Sequence, residues 1–156
     1  MPEQAPLILE LPPDDDRIRQ MLALHERFPE RYPVLLESTA VGYSLGRFTL
    51  LLAAPGRSLR LDRAGILHGE GEGDRFCERL DSWWQRERGT APPAPWPMAG
   101  GWFLYLGYEL AAEVEPSLRL PPSPLPVVAC AWRMRAALIF DHETGRCVLA
   151  AEPAAA

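Results

Sequence analysis

The sequence predicts an α+β fold, with a mostly antiparallel sheet and helices packed on one face. Three observations carry this. Strand-like segments are joined mostly by hairpin-length links. Only two long helical stretches occur among about seven strands. Those helices do not alternate regularly with the strands, which disfavours a parallel doubly wound sheet. The chain has 156 residues, the size of one ordinary domain, and 47% apolar residues, enough for a core.

The first thirteen residues read as a tail. Asp14 to Phe28 reads as a helix, with Asp14, Asp15 and Asp16 as N-cap candidates and Pro29 as its stop. Ile18, Met21, Leu22 and His25 fall at i, i+3, i+4 and i+7, the spacing of a helix. Tyr32 to Leu36 is a short strand and Arg47 to Ala54 a second, ended by Pro55-Gly56. SLRLD (58–62) alternates apolar and polar, turns at Arg63-Ala64-Gly65, and returns over Ile66 to His68. GEGEGD (69–74) reads as a flexible, solvated loop, with Asp74 capping a second helix over Arg75 to Arg88. Phe76, Leu80, Trp83, Trp84 and Glu87 lie at helical spacings there, and the Trp pair reads as core-facing.

A proline-rich link (89–101) leads into an aromatic strand, WFLYLGYEL (102–110). Gly107 interrupts it, and a glycine inside a strand marks a bulge or the close approach of another backbone. Five prolines make 115–126 irregular. Val127 to Asp141 is a long strand, His142 to Gly145 a turn, and Arg146 to Ala151 the returning strand.

The formal net charge is −5, and all sixteen basic residues are arginine. No dense basic patch appears, which argues against a nucleic-acid partner. Cys77, Cys130 and Cys147 are far apart and form no C-x-x-C pair, which argues against zinc. An odd cysteine count and an N-terminus without a signal-peptide pattern suit a reducing cytoplasm. No apolar stretch approaches the roughly 20 residues a membrane helix needs. His25, His68 and His142 pair with no Ser or Cys in a nucleophile arrangement, and no catalytic residue is predicted. Two stretches stand out: Leu35-Leu36-Glu37-Ser38 with the following Gly46-Arg47-Phe48, and Gly100-Gly101-Trp102 running to Glu109.

On those residues the chain resembles the N-terminal domain of the chorismate-utilising large subunits, anthranilate synthase component I and aminodeoxychorismate synthase component I. The matching residues are Pro33 to Ser38, Gly46-Arg47-Phe48, Ala54-Pro55 and Gly100 to Glu109, and the likeness covers most of 15–152. Gly46-Arg47-Phe48-Thr49-Leu50 is more similar to the aminodeoxychorismate branch than to the Gly-Arg-Tyr-Ser of anthranilate synthases. The resemblance implies a domain over 14–152 and a pocket of tryptophan type at Leu36, Glu37, Ser38, Tyr43, Arg47 and Phe48. Glu37 would pair with an ammonium, Ser38 with the ligand's polar end, and Phe48 and Tyr43 would wall an indole.

It also implies what is missing. In such enzymes Mg²⁺ and chorismate are held by a larger C-terminal half, whose lysine- and histidine-bearing motifs this lysine-free chain lacks. The expectation is therefore a fragment or split subunit, with 153–156 as a truncated tail, no cofactor of its own and no turnover alone. The implied partners are the chorismate-binding half and a glutamine amidotransferase subunit. The alternatives are the regulatory domain of anthranilate synthase component I and a free-standing amino-acid-binding module.

Overall fold

The computed structural model describes residues 5–37, 46–89 and 91–153. Among them the chain forms seven strands and three α-helices: β1 (Leu7–Glu10), α1 (Arg17–Arg27), β2 (Val34–Leu36), β3 (Phe48–Asp62), β4 (Leu67–Gly69), α2 (Phe76–Glu87), β5 (Gly101–Leu106), α3 (Ala111–Val114), β6 (Val127–Asp141) and β7 (Cys147–Ala151). The sheet order is β1-β7-β6-β3-β2, with β4 beside β3 and β5 beside β6. The strand pairings with a defined register are all antiparallel, in keeping with the α+β reading. Two compact units emerge: Met1–Pro55 with Gly89–Gly101 and Met134–Ala156, and Gly56–Arg88 with Trp102–Arg133.

In the first unit the segment expected as a tail supplies β1, which pairs with β7 from Leu7 opposite Ala151 to Glu10 opposite Val148. The sequence hid it because a four-residue strand between prolines carries little periodic signal, and its partner lies at the far end of the chain. The Arg146 guanidinium grips Glu10 through two bonds of 2.8 Å. Helix α1 starts three residues later than expected, because Asp14 works from outside it. Its carboxylate accepts from Asp16 N (2.9 Å) and Gln20 Nε2 (2.6 Å), which hold its pKa below the usual carboxylate value. Met21 is buried and Leu22 exposed. The core of this unit includes Met21, Leu51, Leu52, Ile139, Val148 and Ala150.

The predicted break at Pro55-Gly56 is not a strand end. β3 runs through it, with Ala54 at φ 53°, a left-handed conformation costly for a side-chain-bearing residue. The predicted 47–54 and 58–62 strands are thus one element.

In the second unit Leu59, Phe76, Trp83, Leu110, Ala129 and Ala131 form a buried cluster, with Trp102 and Leu80 packed against it. Trp83 and Trp102 meet edge to face at 5.6 Å, and Arg133 lies 4.1 Å from the Trp102 ring centroid. The Trp pair of α2 divides: Trp83 is fully buried, whereas Trp84 stays 41% exposed. That corrects the expectation that both face the core. The physical reason is the 100° step between neighbours on a helix, which leaves room for only one in a single stripe.

The loop at 69–74 is also tighter than expected. A Cβ on Gly71 would sit 2.1 Å from Arg79 O, so the loop lies against α2 at glycine distance. Ser82 Oγ accepts from Glu72 N at 2.7 Å and fastens it there. The cap of α2 is not Asp74. The Glu113 carboxylate, from α3, accepts from Phe76 N (2.6 Å) and Cys77 N (2.8 Å). β5 ends earlier than predicted, at Leu106, and Tyr108–Leu110 forms a 3₁₀ turn. Gly107 marks the close approach its sequence position suggested: its N–H donates to Val128 O at 2.7 Å, and a Cβ there would lie 2.6 Å from that oxygen.

Candidate functional site

Of the residues expected to form a pocket, Leu36, Glu37, Arg47 and Phe48 sit at the adjoining ends of β2 and β3, in the first unit. In the β2–β3 ladder Leu36 lies opposite Leu50, Leu35 opposite Leu51 and Val34 opposite Leu52. Directly opposed residues share a face and side chains alternate along a strand. Leu36, Leu50 and Phe48 therefore share one face, while Leu35 and Leu51 take the other. Leu51 is fully buried; Leu36 is 44% exposed, and Leu50 and Phe48 are half-buried. The result is a partly open apolar face, and Glu37, exposed, follows it directly at the end of β2. Ser38 and Tyr43 lie outside the described residues.

Phe48 is held by two neighbours. Its ring centroid is 6.5 Å from that of Trp96 at an interplanar angle of 51°, and the Arg47 guanidinium lies 5.0 Å from it. Trp96 is nearly buried and has Arg146 at 5.4 Å on its ring.

Arg47 itself is largely committed within the fold. Its Nε and Nη2 donate to Asp141 Oδ1 (3.0 Å) and Oδ2 (2.8 Å), and Nη1 lies 3.2 Å from Glu143. Asp141 is buried and also accepts from Glu143 N and Thr144 Oγ1, both at 3.0 Å. The guanidinium, with those two further donors, holds the Asp141 pKa below the usual carboxylate value, and the same pairing raises that of Arg47. Arg47 thus shapes the site by fixing Phe48, while its charge is met by carboxylates of this chain.

Sequence reasoning missed Asp141, Trp96 and Arg146. Each is remote in the chain from Phe48, and no local spacing connects them. The histidines are each engaged: His25 Nδ1 with Tyr32 O (2.7 Å), His142 Nε2 with Thr49 Oγ1 (2.8 Å) and His68 Nε2 with Asp62 (2.9 Å). Among the described residues no group of three or more His, Cys, Asp or Glu side chains gathers as a metal site, and no helix is long and apolar enough to cross a membrane. What the β2–β3 face offers chemically is an apolar, aromatic-backed surface, with Glu37 exposed just past the end of β2. Such a surface suits a ligand carrying a ring.

No protein-family model matches the chain, and no curated protein matches it. Among solved structures it is similar to anthranilate synthase component I from Streptococcus pneumoniae TIGR4, with a TM-score of 0.54 and 21% identity. The likeness covers 85% of this chain and 29% of that one. What the two share is a fold, and the chain spans less than a third of that neighbour's length.

Proposed function

We propose that this chain is the non-catalytic N-terminal domain of an aminodeoxychorismate synthase large subunit. It packs against a chorismate-binding half served by a glutamine amidotransferase, and it holds an amino acid of tryptophan type at the end of β2. The observation that carries the reading is the fold likeness over 85% of the chain to part of a chorismate-family enzyme. The Leu36-Glu37-Ser38 and Gly46-Arg47-Phe48 motifs support it, as does the half-open apolar face they border. On this reading Glu37 meets the ligand ammonium, Leu36 and Phe48 meet the indole, and Ser38 and Tyr43 complete the pocket. Mg²⁺ belongs to the chorismate-binding half, and the protein works in the cytoplasm.

Two experiments test this. Chorismate with glutamine or ammonia should give no product with this chain alone. Aminodeoxychorismate should form when a chorismate-binding half and the amidotransferase are added; turnover by the chain alone, or anthranilate as the product, rejects the assignment. Calorimetry with L-tryptophan should show binding that Glu37→Ala weakens about tenfold or more, the size of one lost charge-assisted hydrogen bond. Binding unchanged in that variant removes Glu37 from the site. A free-standing amino-acid-binding module would bind tryptophan as tightly without any partner as with it.

A further inference from the structure

The second unit carries a groove that the β2–β3 site does not use. It lies between α2 and β5, has a volume of about 380 Å³, and is lined by Cys77, Leu80, Asp81, Trp84, Trp102 and Leu104. Its walls are mostly apolar, and they stay open to water: Trp84 is 41% and Leu104 43% exposed, and Leu106, next along the same face of β5, is 53% exposed. Exposed apolar side chains grouped in this way mark an interaction surface.

The charges on α2 say what fits there. Asp81 and Arg88 stand two helical turns apart with Trp84 between them, so all three follow one line along the helix. Neither charge is in an ion pair among the described residues, and Arg88 rests on the Trp84 ring at 5.0 Å. A line with an acid at one end, a base at the other and an indole in the middle is complementary to itself when reversed. A twofold axis near Trp84 sets Asp81 of each copy against Arg88 of the other. The same operation brings each Trp84 to the other's groove, whose volume is ample for one indole.

We propose that a second copy of this chain docks on this groove, with the two α2 helices antiparallel and Trp84 of each seated against Leu80, Trp102 and Leu104 of the other. Such an interface is isologous, and the same patch serves both partners. Trp84, Leu104 and Leu106 are already about half covered within one copy, so the two apolar patches together bury about 600 Å², and the Asp81 and Arg88 pairs at the rim add to what is a small interface. The dimer is therefore weak, with dissociation in the micromolar range.

Sedimentation velocity across that concentration range tests it. The wild-type chain should move from monomer to dimer. Trp84→Ala should raise the dissociation constant about tenfold or more, since the indole is the central anchor. Asp81→Arg alone, or Arg88→Asp alone, should weaken the dimer about tenfold, because each places two like-charge contacts across the axis. Combining Asp81→Arg with Arg88→Asp should restore it to within about threefold, as a swapped pair is again complementary. These side chains are outside the buried core, and an unchanged circular-dichroism melt checks that each variant folds. A chain that stays monomeric throughout, as it would if the groove served only a small aromatic ligand, overturns the proposal. So does a dimer insensitive to Trp84→Ala, or a double swap no better than its parents. None of these outcomes depends on tryptophan binding or chorismate turnover.

Discussion

Replacing Glu113 by alanine should loosen the start of α2, a helix thirty-seven residues earlier in the chain. The first N–H groups of a helix have no partner within it. At α2 the N-cap position is Arg75, whose side chain makes no capping bond, and Glu113 accepts from Phe76 N and Cys77 N at 2.6 and 2.8 Å instead. Loss of an ordinary cap costs about 0.5–2 kcal/mol, and a carboxylate at the positive end of a helix adds about 0.3–1 kcal/mol. With two donors orphaned and Phe76 fully buried, the expected loss is about 2 kcal/mol. Urea unfolding should report it as a lower midpoint with an unchanged slope. A second readout is local. Burial pushes the Cys77 thiol up to about 11, and Glu113 adds to the shift. At pH 8 the wild-type thiol should therefore alkylate about a hundredfold more slowly than a free cysteine of ordinary pKa, and Glu113→Ala should quicken it. A loss below about 0.5 kcal/mol with unchanged alkylation would refute the claim that Glu113 caps α2.

Asp141→Asn should cost about 3 kcal/mol, the low end for breaking a buried ion pair. The contribution comes from a depressed carboxyl pKa, so it is complete above the unfolded value near 3.9 and fades as pH falls through the lower folded value. The stability gap between wild type and variant should then close only in strong acid, and in the Asp141→Asn background Arg47→Leu should do little further harm. Ala54→Gly should stabilise by up to about 1 kcal/mol in chemical denaturation, because glycine removes the strain of φ 53° at an exposed position. Gly107→Ala should destabilise by about 1–3 kcal/mol, since its methyl would meet Val128 O at 2.6 Å; a melting temperature equal to wild type would count against that contact.

Elements whose evidence is local were legible in the sequence. The strand over Val127–Asp141 was readable residue for residue, because fifteen residues of strand-forming character end at a plain turn, His142 to Gly145. Gly107 pointed to a bulge or a close backbone approach, and the structure shows the second, with its N–H on Val128 O. What failed was punctuation read as an end. Pro55-Gly56 looks like a stop, yet β3 passes through it with the strain placed on Ala54. β1 failed differently: LILE between prolines has no meaning until Val148 to Ala151 is beside it.

The candidate site divides on the same line. That Leu36 and Phe48 share a face follows from alternation and from a ladder joining β2 to β3, and the sequence placed both strands. The family resemblance placed Arg47 in the ligand pocket. The structure spends most of its charge on Asp141, ninety-four residues away, and on the exposed Glu143. A bidentate arginine on a buried carboxylate is rigid, so it sets the position of the Phe48 ring against Trp96. The consequence separates two roles. If Arg47 contacts a bound amino acid directly, replacing it by lysine should weaken tryptophan binding while leaving stability near wild type. If it acts only by holding Phe48, Arg47→Lys should lower stability and binding together, because an ammonium cannot make the forked contact. The geometry at Asp141 predicts the second result.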